Sequence, residues 1–293
     1  MRHFALAILG FLLLWHPQVD TTTRIQVKRV QPAQDTLATR PDTLRTPKAD
    51  SLALSDQVSP AAERPLRVVA NTAWNVGEEL TFSLRYGPVL AGSATFAVRD
   101  TVRLNGSLCY HIRAEAQTNR VFSSIYRVRD VAESFVDVRG IFPWRFDKHL
   151  REGKYRADRI TMYDQHRNLA VTGKDTLKVP PFVQDVISMV YFLRTQPLAI
   201  GDTLSVPNHA DRKVYDLKVA IHRRERVRVA AGVFDCLVVE PFLLDGSGVF
   251  KHEGRILVWM SEDSRRIPVQ LKSKVVVGTV TAELEQIRGA KKT

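Results

Sequence analysis

Cysteine is nearly absent, with two in 293 residues, which excludes a disulfide-stapled mini-protein and a Cys-rich zinc module. Beyond residue 15 no stretch reaches the ~18 consecutive apolar residues that a membrane-spanning helix needs. Nucleophile-elbow, P-loop, dinucleotide-fingerprint and zinc-protease motifs are all missing. His111, His149, His166, His209, His222 and His252 follow the first sixteen residues, and no two are spaced to ligate one metal from a helical turn. These absences leave no catalytic residue, no metal and no cofactor to assign from motifs.

What is present is unevenly spread. Residues 1–65 hold 8 of the 43 Lys and Arg and 6 of the 31 Asp and Glu, so residues 66–293 carry 35 against 25, a net +10. Arg2 and His3 precede an apolar run, Phe4 to Trp15, that is too short for a stable membrane anchor. Residues 1–16 therefore read as a secretory signal peptide, although no small-x-small cleavage site follows. An uncleaved anchor or a buried N-terminal helix is the alternative. Residues 17–65 contain six Pro, seven Thr, no aromatic residue and no Gly. Such a segment cannot bury enough surface to offset its ordering entropy, so a disordered Pro/Thr-rich tether is expected.

From residue 66 the apolar residues alternate, as in half-buried strands. Leu80, Phe82, Leu84 and Tyr86 interleave with Thr81, Ser83 and Arg85. Asn105-Gly106 marks a hairpin. A three-residue loop would oppose Val98 to Ala114 and Phe96 to Ala116; a two-residue loop would oppose Val98 to Arg113. Like-with-like pairing favours the longer loop. A second hairpin, Trp144 to Tyr163, turns at Glu152-Gly153-Lys154, and charge pairing favours Lys148 beside Asp158 and Asp147 beside Arg159. That register places Arg145, Asp147, His149, Arg151, Tyr155 and Arg159 on one face, a dense mixed-charge cluster.

One helix interrupts the strands. Pro180-Pro181 opens it, Asp185 suits its first turn, and Pro197 closes it. Its apolar residues cover most of the circumference, so the helix is buried. Gln184, Ser188, Tyr191 and Thr195 form a narrow polar strip along it. Further strands follow to residue 287. The expected fold is mainly β: a long antiparallel meander of about a dozen strands, forming a curved sheet or half-barrel around one buried helix in a single domain, 66–293. A two-sheet β-sandwich is the alternative.

Several short strings resemble a bacterial exported family known as domain of unknown function 3108. They are Val76-Gly77-Glu78-Glu79-Leu80 with Arg85-Tyr86-Gly87 and Ala91-Gly92; Arg145-Phe146 with Glu152-Gly153; Gln184-Asp185 with Ser188, Tyr191 and Arg194; Ala231 to Cys236; and Arg266-Ile267-Pro268 with Val277-Gly278. The resemblance covers about residues 74–287 and implies an exported, mostly β protein without an established activity. The closing strand, Ile-Pro turn and final strand also resemble lipoprotein-carrier folds, in which a curved sheet cups a helix.

Candidate ligand-binding residues are Asp147, His149, Arg151, Tyr155 and Arg159 in the charge cluster, and Gln184, Ser188 and Tyr191 on the helix strip. The basic excess suits anionic company. Nucleic acid is excluded as a partner, because the basic residues alternate along strands without stacking aromatics. Anionic lipid or another anionic envelope polymer fits an exported protein of the periplasm or cell envelope. Three functions remain open: non-catalytic binding of a lipophilic or anionic envelope ligand, a structural or interaction module, and a hydrolase or lyase built on His149. A cavity between helix and sheet favours the first, a filled interior the second, and His149 in a cleft beside another catalytic group the third.

Overall fold

A computed structural model describes residues 65–210, 213–243, 256–274 and 278–292. The signal segment 1–16, the tether apart from Pro65, His252 and the polar turn at 245–248 lie outside these residues. Fourteen strands form one antiparallel sheet. They are β1 (Glu79–Tyr86), β2 (Val89–Leu104), β3 (Ser107–Thr118), β4 (Arg129–Asp137), β5 (Pro143–Glu152), β6 (Tyr155–Asp164), β7 (Leu169–Thr172) and β8 (Asp175–Lys178), then β9 (Thr203–Ala210), β10 (Lys213–Val229), β11 (Gly232–Phe242), β12 (Ile256–Ser261), β13 (Pro268–Lys274) and β14 (Thr279–Arg288). The order across the sheet is β8 to β1, then β14 to β9, so two meanders meet where β1 pairs with β14. The half-barrel expectation holds and the two-sheet sandwich is not formed.

Among the described residues two helices accompany the strands: a short α1 (Arg120–Ile125), which has no counterpart in the sequence pattern, and the expected buried α2 (Val186–Arg194). Asp185 proves to be the N-cap of α2 rather than a first-turn residue. Its Oδ1 accepts from the Ile187 and Ser188 amides, and the Ser188 hydroxyl accepts from the Asp185 amide. This capping box satisfies amides that have no partner within the helix. The prolines at 180–181 stop short of it, and Gln184 precedes the helix.

The sheet curls, and the helix start records how far. Ser134 of β4 donates to Asp185 Oδ2 at 2.6 Å, and Asn208 of β9 donates to the Asp185 carbonyl at 3.2 Å. Strands nine places apart in the sheet thus reach one residue. Tyr163 of β6 and His209 of β9 also meet, hydroxyl to Nδ1, at 3.1 Å. The lead-in to α2 pairs with edge strand β9 through the Gln184 amide to the Pro207 carbonyl and the His209 amide to the Gln184 carbonyl. Inside the curl, Leu80, Leu84, Ile112, Ala114 and Ile187 form the principal core, all at most 2% exposed. Trp74, in the same core, donates from its indole nitrogen to the Tyr191 carbonyl at 3.1 Å.

Both hairpin registers differ from expectation. Asn105 and Gly106 take positive φ, 48° and 86°, and make a two-residue turn that opposes Leu104 to Ser107. A bulge between Val98 and Asp100 then shifts the ladder by one, so that Val98 faces Ile112 and Phe96 faces Ala114. The like-with-like pairing is met by the bulge and not by a longer loop. In the second hairpin the loop is Gly153-Lys154, and it sets Glu152 opposite Tyr155, Lys148 opposite Arg159 and His149 opposite Asp158. Cys109 and Cys236 are both free thiols, each fully buried in a different apolar cluster.

Candidate functional site

The one-residue difference in the β5–β6 register divides the expected cluster between two faces. Ser134 points to the helix, and Ala132 pairs with Lys148, so the even residues of β5 face α2 and the odd ones face away. Arg145, Asp147, His149 and Arg151 therefore lie on the face turned away from α2. Tyr155 and Arg159 share the other face with Lys148.

On the outer face the side chains form a ladder of ion pairs across β2 to β6. His111 bridges Asp100 at 3.3 Å and Glu133 at 2.9 Å, and Arg113 reaches Glu133 at 3.1 Å. Arg145 grips both oxygens of Asp147, at 2.7 to 3.0 Å. His149 Nδ1 and Arg151 share Asp158, each at 2.7 Å. Burial works to raise the Glu133 carboxyl, yet hydrogen bonds from His111 and Arg113 prevail and hold it below the usual range. Glu133, Asp147 and His149 bring ligand-type atoms within 4.8 Å of one another. Arg113 and Arg145 already neutralise these two carboxylates, so the trio is a strand-to-strand tie. His149 pairs with Asp158 and not with Asp147, and it lines neither of the two recesses below.

The first recess, about 420 Å³, lies between the two ends of the curled sheet. Phe146, Tyr163, Val186 and Ala210 supply apolar surface; Lys148 and Arg159 supply cationic groups and Asp175 an acidic one, while Asp158 and Ile160 border it with side chains on the outer face. Arg159 is the one candidate of the charge cluster that lines it. Lys148 is 5% exposed and His209 is likewise 5% exposed, so both stand on the inner wall. Beside them, at the β4–β5 edge, Asp130 and Glu152 are buried carboxyls raised by desolvation to about 6 and about 7. Tyr155 is exposed at the hairpin tip.

The second recess is narrower, about 70 Å³, and lies between α2 and strands of both meanders. Phe82, Phe96, Leu193, Val239, Met260 and Leu271 make it apolar. Tyr191 lines it too; its hydroxyl is buried without a hydrogen-bond partner, and burial drives its pKa far upward. Arg194 closes one end with a bidentate bond to Glu78, at 2.6 and 2.8 Å, both residues at most 1% exposed. Arg194 Nε also donates to the Arg265 carbonyl. Strings far apart in sequence that carried the resemblance, around Glu78, Arg194 and Arg266, thus converge at the C-terminal end of α2.

The other strip residues have structural partners. Gln184 is fully buried and donates to the Ile141 carbonyl at 2.9 Å, and Ser188 completes the capping box. Of the strip, Tyr191 lines a recess. Sequence reasoning missed Lys148 and His209 as recess residues, and missed the Glu78–Arg194 pair. The inward parity of Lys148 beside Phe146 and Leu150 was the one signal available.

No curated protein matches the chain. Among solved structures, a β-barrel-like protein of domain of unknown function DUF1849 from Brucella abortus is similar over 78% of this chain and 100% of its own, at 11% identity and a TM-score of 0.49. The hypothetical protein CT021 of Chlamydia trachomatis is similar over 75% of this chain and 90% of its own, at 9% identity and a TM-score of 0.33. The family model described as protein of unknown function (DUF3108) matches residues 81–285, more than half of the 293, and the chain belongs to that family.

Proposed function

We propose that the protein is a non-catalytic, exported envelope protein that binds a lipophilic anion inside its curled sheet. The observation that carries this reading is the 420 Å³ recess, which sets Lys148 and Arg159 beside apolar surface from Phe146, Tyr163 and Val186. Its volume falls within the roughly 300–1,000 Å³ common for small-molecule sites. The sequence supports the location: residues 1–16 act as an export signal and 17–65 as a tether ahead of a single β-rich domain, 66–293. A hydrolase built on His149 lacks support, because His149 stands on the outer face with its nearest partner an exposed carboxylate.

The test is binding of a fluorescent anionic fatty-acid analogue, with native mass spectrometry of the protein purified from its own host. Saturable binding is expected, weakened by Val186→Trp, which fills the recess, and by the surface change Arg159→Glu. Absence of both saturable binding and a retained lipid overturns the proposal in favour of an interaction module.

A further inference from the structure

At one end of the strands β1 to β6 the connections gather into a continuous rim. The Asn119 side chain donates to the Leu90 carbonyl at 2.7 Å and its amide to the Ala91 carbonyl at 2.9 Å, tying α1 to the β1–β2 hairpin. The Gly153 amide donates to the Arg127 carbonyl at 2.7 Å, tying the β5–β6 hairpin to the same segment. The rim holds an unusual concentration of exposed apolar side chains. Val121 is 69% exposed, Ile125 68%, Val89 52% and Leu90 44%. With Tyr155, also 44%, they make five of the eleven large exposed hydrophobic residues among those described. Val121 and Ile125, four residues apart, lie on one side of α1.

The exposed charge around them has one sign. Segments 85–91, 119–129 and 153–156 contain six Lys or Arg and no Asp or Glu. Arg120, Arg127, Arg129, Lys154 and Arg156 are exposed. Exposed aliphatic side chains in a basic field, whose flanking carboxyls Asp130 and Glu152 are buried, suit shallow insertion among anionic headgroups. A second copy of this chain fits worse, because a self-complementary contact would set these cations against one another.

We propose that this rim is a peripheral docking surface for an anionic lipid bilayer, with Val121 and Ile125 inserting and the arginines engaging headgroup phosphates. The proposal stands independently of ligand binding in the recess. It is tested by sedimenting the full chain with phosphatidylglycerol-containing vesicles and with neutral phosphatidylcholine vesicles. The apolar run 4–15 is common to every variant, so differences between variants report the rim. Co-sedimentation is expected with anionic vesicles only, falling as salt is raised. Val121→Asp with Ile125→Asp should abolish it, and Arg120→Glu or Arg127→Glu should each weaken it by roughly fivefold or more. Urea midpoints and fatty-acid binding should stay unchanged, since these side chains touch neither core nor recess. Equal binding by the wild type and the Asp variant overturns the proposal, as does a wild-type self-association that the Asp variant abolishes without any vesicle binding. Loss of fatty-acid binding with intact vesicle binding would refute the recess alone.

Discussion

The Glu78–Arg194 pair allows a quantitative prediction. Glu78→Gln keeps the shape of the side chain and removes its charge. The guanidinium of Arg194, 1% exposed, then keeps only the Arg265 carbonyl and the weaker amide oxygen as acceptors. Removing one partner of a buried pair costs about 3–5 kcal/mol, because the remaining charge is left uncompensated out of water. Domain stabilities are of order 5–15 kcal/mol, so the loss is a large part of the whole. With an m-value near 2 kcal/mol per molar urea, the midpoint should fall by roughly 2 M. Urea unfolding followed by tryptophan fluorescence, to which Trp74, hydrogen-bonded to α2, contributes, provides the assay. Glu78→Gln with Arg194→Met should be more stable than Glu78→Gln alone, since Met adds apolar contact beside Leu80 and Pro268 and removes the stranded charge. A loss below about 1 kcal/mol, the range of exposed pairs, or a double variant no better than the single, would refute the reasoning.

Leu193→Ala should cost about 2–4 kcal/mol, because Leu193 is 6% exposed within an apolar cluster, whereas half-buried Val190→Ala should cost less; equal losses in the urea midpoint would mean that α2 presents its faces differently. Burial raises Glu152 to about 7 and Asp130 to about 6, so the folded state binds more protons than the unfolded state between these values and the ordinary carboxyl range. Their contribution to stability is present at low pH and is lost as pH rises, from 4.5 to about 7 for Glu152 and from 3.8 to about 6 for Asp130. Glu152→Gln should flatten that decline, and an unchanged pH profile of the urea midpoint would contradict it.

Much of the fold is legible in alternation alone. Leu80, Phe82 and Leu84 announce an inward face, and the apolar run from Val186 to Leu193 announces a buried helix, because each element can bury its surface in only one way. The site was less legible, and the reason is geometric. A strand has period two, so placing the β5–β6 turn one residue away exchanges the two faces of β6 and moves Arg159 and Tyr155 from the outer ladder to the inner side. The bulge near Arg99 misled in the same manner, since one inserted residue let a short turn satisfy the pairing that had suggested a long one. Long-range partners such as Glu78 and Arg194, 116 residues apart, leave no local trace. They become apparent only when the curl brings the helix end to the first strand.

The pairing of β1 with β14 has a consequence for how the chain matures. The seam between the two meanders lies in the middle of the sheet and joins residues 200 apart, such as Ser83 and Glu283. Each meander closes by short local hairpins, but the interior between them is enclosed only when the last strand arrives. Closing that seam therefore carries a large loop-closure entropy, and β1 has an open edge until β14 is in place. Truncation before residue 279 would divide the sheet rather than trim it. The natural borders, β8 and β9, are instead the places where the polypeptide could be cut and its ends rejoined across the seam.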